Sequence, residues 1–196
     1  MAGDGGGYSR VEARPGYQQR IKDIGDFSAV PYLTPIDYAT VPGTSLVQPT
    51  AWSVWDAESG SATPPATVQG TGWGRAVPDL STDADPATGY LLYFSGFGAG
   101  QELQSGWGGT SFVAPQLNGS AAVIDSYLGH RVGFWNPAIY EFATWHGSPF
   151  TPIDTSGGTN DNIYYTGTPG TVFNPATGLG TPDLAKLAAD FAKHGW

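Results

Sequence analysis

The chain has 196 residues, enough for one domain with a sizeable hydrophobic core. Hydrophobic residues make up 40% of it and aromatic residues 13%, which indicates a globular protein and excludes a disordered one. The formal net charge is −9 with only eight lysines and arginines. No basic stripe exists to neutralise phosphates, so a nucleic-acid partner is excluded.

Three further features of the sequence limit the kinds of site, the targeting segments and the working pH that this protein can have. It has no cysteine, which excludes disulfides and zinc–thiolate sites. Residues 1–7 lack the basic start and apolar run of a signal peptide, and no stretch is long and apolar enough for a membrane span. Charged residues are only 13%. A chain that depends little on ion pairs loses little when acid protonates carboxylates, which favours a protein that works at low pH.

The first third of the chain is dominated by turn-forming residues. Residues 1–20 open with a glycine run and continue into a turn at 15–18, Pro-Gly-Tyr-Gln. Residues 21–74 place many prolines among large aromatic side chains, and prolines at that density break helices and central strands. We therefore expect 21–74 to be a long irregular insertion whose aromatics cover the domain.

From Gly74 onwards the pattern is that of an α/β protein. A strand end at 75–81 and a strand at 89–94 are followed by a glycine-rich stretch, 95–109. Apolar residues at three-to-four spacing predict a helix over 110–128, with Gly129 as its stop. The remaining predictions are a short helix at 137–145, a loop at 154–182, and a helix at 183–193 with Asp183 at its positive end.

The most informative segment is 108–115, Gly-Gly-Thr-Ser-Phe-Val-Ala-Pro. Glycines let a backbone approach a substrate closely, and Ser111 falls where free backbone N–H groups and the helix dipole can stabilise an oxyanion. Pro115 is expected in the first helical turn, where a missing N–H costs nothing. The segment thus predicts a nucleophile, but an ordinary helix cap with Thr or Ser would have the same local pattern.

The same segment resembles the serine motif of the subtilisin clan, Gly-Thr-Ser-x-x-Ala-Pro, and its flanks resemble one branch, the sedolisins or serine-carboxyl peptidases (kumamolisin-like). Three further blocks are similar to that family in order: 5–18, 74–90 and 174–182. The resemblance implies a subtilisin-like α/β fold, a parallel sheet flanked by helices with long irregular loops. Residues 1–196 would be the C-terminal portion of a single peptidase domain.

The resemblance also implies a mechanism. Ser111 would be the nucleophile that forms an acyl-enzyme with a peptide or protein substrate, and the backbone of Gly108, Gly109 and Thr110 would face the substrate. The family's base is a glutamate oriented by an aspartate, and another aspartate completes the oxyanion hole, an arrangement that suits acid conditions. The family's matching segments lie upstream of 5–18.

We therefore expect an N-terminal chain of the same precursor to bring these carboxylates, and this chain to be inactive alone. The resemblance further implies a secreted, extracellular endopeptidase or tripeptidyl-peptidase that acts at acid pH.

The family also carries a calcium ion, which needs six or more oxygen ligands. Matching the family's segments gives one carboxylate, three backbone carbonyls and an asparagine in place of the second aspartate: Asp154, Thr155, Thr168, Gly170 and Asn174. The missing carboxylate lowers the negative charge of the site and therefore its affinity for calcium. The alternative is that this loop binds no ion and is closed by its own hydrogen bonds.

Other candidate residues have weaker patterns. Asp79, Asp83 and Asp85 form a carboxylate cluster that could be an acid–base pair or a cation site, but turn hydrogen bonding explains it better. The three histidines, all after Ser111, are expected at the surface or at helix ends: His130, His146 and His194.

Two other classes of protein stay open at this point. The chain could be a non-catalytic binding or structural module that retains the fold. Its seven tryptophans also allow a carbohydrate-binding protein, although most tryptophans in a loop-rich domain cover its core.

Overall fold

The structure is a computed structural model, and it describes residues 6–22, 24–29, 33–40, 47–54, 68–86, 88–98, 100, 102–153 and 170–196. Within these residues the chain forms ten strands and three α-helices. In chain order they are β1 (Gly7–Ala13), β2 (Asp26–Ala29), β3 (Leu33–Thr40), β4 (Val47–Val54), β5 (Val68–Thr71), β6 (Gly74–Val77), β7 (Tyr90–Tyr93), β8 (Leu103–Trp107), α1 (Thr110–Leu128), α2 (Asn136–Phe142), β9 (Phe150–Thr151), β10 (Thr181–Pro182) and α3 (Leu184–His194).

The strands form five two-stranded antiparallel ribbons: β1–β6, β2–β5, β3–β4, β7–β8 and β9–β10. The predicted parallel sheet is therefore not among the described strand pairs. A parallel sheet needs strands joined by helical crossovers that cover both of its faces. Here α1 and α2 follow each other without an intervening strand, so they are not crossovers of a sheet within the described residues.

The expectation that 21–74 is irregular is wrong for its described residues, which contain β2, β3, β4 and β5. Two of the prolines lie within β3 and β4: Pro35 is opposite Trp52, and Pro49 is opposite Tyr38. Each strand of a two-stranded ribbon is an edge strand, where a proline can sit without removing a ladder hydrogen bond. The register shifts between Pro35 and Asp37 and again before Tyr38, which accommodates the interruption. The sequence also did not predict β1 and β8, because a glycine weakens the strand pattern of each.

The observed helices agree better with the helices predicted from the sequence. α1 spans the predicted 110–128 and ends at Gly129, whose φ of +76° is left-handed and whose N–H donates to the Asp125 carbonyl at 2.9 Å. Pro115, however, is the sixth residue of α1 and not in its first turn. Its missing N–H therefore leaves the Ser111 carbonyl without its helical donor. α2 ends at Phe142, three residues earlier than predicted.

The core lies between α2, α3 and the segments that flank them. Phe191 of α3 packs edge-on against Phe142 of α2 and lies 5.3 Å from the Trp135 ring, centroid to centroid. The largest fully buried side chains lie on these elements or beside them: Tyr140, Phe142, Phe191, Ile139, Leu179, Leu187, Gln18 and Pro149. This core holds α3 and the middle and end of α2, and α1 contributes one buried residue, Ile124.

Removal of the cap of α3 is expected to destabilise the protein. Asp183 precedes α3, and its side chain accepts hydrogen bonds from the N–H groups of Ala185 and Lys186, both at 3.1 Å. Asp183→Ala removes both bonds and should lower the free energy of unfolding by about 1 kcal/mol, measured by urea denaturation. Asp183→Asn keeps the acceptor oxygen and should lose less. Equal losses in the two variants would contradict a capping role.

Candidate active site

Ser111 is the second residue of α1, and its side chain is exposed. No described residue hydrogen-bonds to its hydroxyl. The first N–H groups of a helix have no partner one turn back and carry the positive end of the dipole. The hydroxyl is therefore accessible beside groups that can stabilise a developing negative charge.

Two glycines set the entry into the helix. Gly109 has φ +92° and ψ 162°, a conformation that is essentially restricted to glycine. A Cβ on Gly108 would lie 2.7 Å from the Ala84 carbonyl oxygen and 2.7 Å from the Pro86 nitrogen, so the loop that precedes β7 passes directly against this backbone. The sequence predicted that a substrate approaches this backbone closely. In the structure, the close neighbour of Gly108 is a loop of the chain itself, Ala84–Pro86.

That loop also uses one of the backbone groups that were expected to face a substrate. The Gly109 N–H donates to the Ala84 carbonyl at 2.6 Å, and the Phe112 N–H donates to the Gly109 carbonyl at 2.9 Å. Of the three residues whose backbone was predicted to face a substrate, Gly109 therefore holds the start of α1 in place. Thr110, the first residue of α1, is exposed beside Ser111.

An aromatic cluster holds the residue after the serine. The Phe112 ring stacks on Tyr90 of β7, with centroids 5.5 Å apart and planes only 6° from parallel, and lies 6.1 Å from Trp107 of β8. The Tyr90 hydroxyl donates to the Asp83 carbonyl at 2.7 Å. The β7–β8 ribbon therefore anchors the helix start. Sequence reasoning missed this contact because nothing local in the sequence pairs Tyr90 with Phe112.

Asp79 is the centre of a polar network rather than part of a carboxylate pair. Its carboxylate accepts hydrogen bonds from Arg75 and Asn136, both at 2.8 Å, and from the Tyr140 hydroxyl at 2.9 Å. Gln18, fully buried, joins the network through its amide, which lies 2.9 Å from the Tyr140 oxygen. Burial, followed by the charge of Asp79, raises the pKa of Tyr140 above its usual value, so this hydroxyl stays a donor.

Asp83 behaves as a turn residue. Its side chain accepts from the Asp85 N–H and from the Thr88 hydroxyl, each at 3.0 Å. This is the hydrogen bonding of an Asx turn, as the sequence analysis favoured. In the described part of the chain, no three acidic, histidine or cysteine side chains come together in a way that could hold a metal ion.

The histidines lie away from the serine. His130 and His146 are exposed, and His194 sits in the last turn of α3, with its ring 4.4 Å from that of Trp145. Among the described contacts, none joins a histidine to Ser111. These positions agree with the expectation that the histidines lie at the surface or at helix ends.

The predicted calcium ligands lie mostly outside the described residues, which include neither Asp154 nor Thr155 nor Thr168. Of the two described, Gly170 contributes only backbone. The buried Asn174 side chain accepts the Ala176 N–H at 2.7 Å, and the Asn174 carbonyl accepts the Gly178 N–H at 2.7 Å. The oxygens of Asn174 thus close a turn and bring no carboxylate, so the described residues alone do not fit a calcium site. Calcium binding stays a prediction.

Comparison with known proteins gives three curated relatives. Kumamolisin of Bacillus sp. (strain MN-32) is 40% identical over 124 residues, 61% of this chain and 20% of its own length. Sedolisin of Pseudomonas sp. (strain 101) is 33% identical over 131 residues, 67% of this chain and 21% of its own length. Xanthomonalisin of Xanthomonas sp. (strain T-22) is 30% identical over 122 residues, 62% of this chain and 14% of its own length. No family model matches.

Among solved structures, Pseudomonas sedolisin, a serine-carboxyl proteinase complexed with two molecules of pseudo-iodotyrostatin, aligns with a TM-score of 0.57 and 25% identity. The alignment covers 97% of this chain and 37% of that one. Over 61–67% of its length the chain is similar to members of the sedolisin family. The predicted family and the subtilisin-like α/β class of the fold are thereby confirmed.

The sedolisin family consists of serine-carboxyl peptidases, so this chain is related to hydrolases. It spans about a fifth of the length of the curated relatives or less. None of the described helices has the length and apolar character needed to cross a membrane.

Proposed function

We propose that this chain is the serine-bearing part of a sedolisin-type peptidase, and that Ser111 is its nucleophile. The observation that carries the proposal is the exposed Ser111 hydroxyl at the second position of α1, a helix that begins directly after Gly109 in a backbone conformation restricted to glycine. A buried or hydrogen-bonded hydroxyl would point to a capping role. Similarity to members of the sedolisin family supports the same conclusion.

The chemistry that this position supports is acyl transfer. The Ser111 Oγ attacks the carbonyl carbon of a peptide bond and gives its proton to a base, and the tetrahedral oxyanion lies near the N–H groups of the first turn of α1. Collapse breaks the C–N bond, and the base returns the proton to the leaving amine. Water then hydrolyses the acyl-enzyme and restores the hydroxyl.

The base itself is proposed to come from another stretch of polypeptide. In the described part of the chain, no carboxylate or imidazole contacts Ser111. A glutamate base with an orienting aspartate, carried by an N-terminal chain of the same precursor, would supply it, and a protonated aspartate would complete the oxyanion hole. A carboxylate base keeps an ionised fraction in acid, so the assembled peptidase would act at low pH.

The substrate class is a peptide or protein, cleaved either internally or as tripeptides from an end. A secreted, extracellular location is part of this proposal, since members of the sedolisin family are secreted peptidases.

The proposal is tested by direct observation of the bond to Ser111. A peptide aldehyde with a ¹³C-labelled carbonyl carbon is added at acid pH to the protein purified with any polypeptide that binds it. Addition of the Ser111 Oγ converts the aldehyde carbon to a hemiacetal, which shifts its ¹³C resonance by tens of ppm. We expect this signal in the wild type and not in Ser111→Ala.

A matched control is Ser126→Ala, a change of another exposed serine on α1, which should keep the hemiacetal signal. A hemiacetal signal that persists in Ser111→Ala would contradict the nucleophile assignment. Absence of the signal from the wild type, at aldehyde concentrations that saturate a sedolisin, would favour a non-catalytic module that retains the fold.

A further inference from the structure

The β7–β8 ribbon has an apolar face that is exposed. Its other face packs on the start of α1, where Tyr90 stacks on Phe112. An antiparallel ribbon with one packed face normally has polar side chains on the face towards solvent. Here that face has Leu91, 70% exposed, and Tyr93, 72% exposed, on β7, and Leu103, 64% exposed, on β8. An exposed apolar patch of this kind marks an interaction surface.

These three side chains form one continuous patch, which we call the outer face: Leu91, Tyr93 and Leu103. Tyr93 is directly opposite Leu103 in the ribbon, and Leu91 is two residues before Tyr93 on the same side of β7. Side chains two residues apart on a strand are separated by about 6.8 Å, and directly opposite side chains by about 5 Å. Neither strand contains a charged residue, so the outer face favours an apolar occupant.

We propose that the outer face binds apolar side chains of a protein substrate, on an extended stretch of chain near the bond that is cleaved. Apolar side chains at alternate positions of an extended peptide have the same spacing as Leu91 and Tyr93, because both chains have the period of a strand. Among the described strands, β7 and β8 pair only with each other, so each has an edge to which a peptide strand can be added. The apolar side chains of the peptide then lie beside the outer face as cross-strand neighbours.

The ribbon leads directly to the proposed nucleophile. β8 ends at Trp107, four residues before Ser111, and the stacking of Tyr90 on Phe112 ties the ribbon to the start of α1. Leu103 is eight residues before Ser111, so the two residues are at most about 29 Å apart. A peptide of about eight extended residues covers that distance. One substrate chain can therefore reach the serine and the outer face at the same time.

Size and charge favour a peptide over a second copy of this chain. An interface between two folded proteins takes about 20–30 residues from each partner, whereas the outer face consists of three side chains. The formal net charge of −9 also opposes self-association. This inference rests on the proposed function, because it names the kind of substrate that the peptidase prefers. That substrate is a protein chain with apolar side chains at alternate positions, within about eight residues of the cleaved bond.

Binding of a labelled peptide tests the inference without any chemical step. The protein is purified with any polypeptide that binds it, and it carries Ser111→Ala so that the proposed nucleophile cannot cleave the probe. The probe is a fluorescein-labelled peptide of about ten residues, long enough to span the distance above, with leucine at alternate positions among serines and threonines. Its affinity is measured by fluorescence anisotropy at acid pH. A matched peptide with serine in place of every leucine should bind at least tenfold more weakly.

Variants of the outer face locate the binding surface. Tyr93→Thr together with Leu103→Thr removes two large apolar side chains and keeps the strand propensity of a β-branched residue. This double variant should bind the leucine peptide at least tenfold more weakly. The matched control is Val11→Thr, at an 86% exposed position of β1, which should bind the peptide with unchanged affinity. Far-UV circular dichroism checks that each variant is folded.

A second measurement keeps the surface at full size. The photoreactive amino acid p-benzoylphenylalanine replaces Tyr93, or Val11 as the control, and should crosslink the leucine peptide from position 93 only. Equal crosslinking from the two positions would overturn the inference. So would equal affinity of the double variant and the Val11→Thr control, equal affinity for the two peptides, or binding of neither. A change of oligomeric state in the double variant, measured by sedimentation, would show that the outer face joins copies of this chain, which also overturns it.

Failure of this inference is distinguishable from failure of the proposed function. Peptide binding is measured in Ser111→Ala and needs no bond to the serine, whereas the ¹³C hemiacetal needs the serine. If the leucine peptide binds through the outer face but the hemiacetal does not form in the wild type, the binding surface stands and the peptidase assignment falls. If the hemiacetal forms but the double variant binds the peptide as well as the control does, the reverse holds.

Discussion

Replacement of Ser111 by alanine is expected to lower kcat of the proposed peptidase by roughly 10⁴-fold or more, the usual cost of removing a serine nucleophile. The physical reason is that alanine has no oxygen to form the acyl-enzyme, so only binding and oxyanion stabilisation would remain. Stability should not change, because the side chain is exposed and no described residue hydrogen-bonds to it. The measurement is release of a labelled peptide at acid pH, with thermal unfolding recorded in parallel.

Two controls separate chemistry from damage to the fold. Ser126→Ala, on the same helix and also exposed, should retain wild-type kcat. Ser111→Cys keeps a nucleophilic atom at the same place and should bind substrate with an unchanged dissociation constant. Ser111→Ala with more than a tenth of wild-type kcat would show that the peptidase uses another nucleophile.

Substitution of Asp79 by asparagine is expected to lower the free energy of unfolding by about 2–4 kcal/mol. The carboxylate accepts hydrogen bonds from Arg75, Asn136 and Tyr140. An amide at this position turns one acceptor oxygen into a donor that faces other donors. It also leaves the half-buried Arg75 without its counter-charge.

The measurement is urea denaturation at neutral pH, with Asp190→Asn on α3 as the matched control. Asp190 has no described hydrogen bond or ion pair, so its substitution should change the free energy of unfolding by less than about 0.5 kcal/mol. Tyr140→Phe removes one donor to Asp79 and should cost less than Asp79→Asn. A loss below 1 kcal/mol in Asp79→Asn would show that the network contributes little to stability.

Local sequence rules were sufficient for the helix that carries Ser111. The three-to-four spacing of apolar residues and the stop at Gly129 predicted α1 within its observed bounds, because helix formation depends on neighbours one turn away. Two glycines before Ser111 predicted a backbone that is approached closely or held in a conformation closed to other residues; the first is found at Gly108, against the Ala84 carbonyl, and the second at Gly109, whose φ is +92°. Asp183 was placed at the helix start by its side chain alone, since capping is a contact between near neighbours.

The contacts between distant parts of the chain needed the tertiary structure. No spacing rule joins Gln18 to Tyr140, 122 residues apart, or Tyr90 to Phe112. Strands within 21–74 escaped prediction because prolines exclude central strands but not the edges of two-stranded ribbons. The sequence by itself determined the helix that presents Ser111, since its signals are local. Only the tertiary structure decided that the β7–β8 ribbon packs one face on this helix and leaves an apolar face exposed, because burial depends on which distant residues come to pack together.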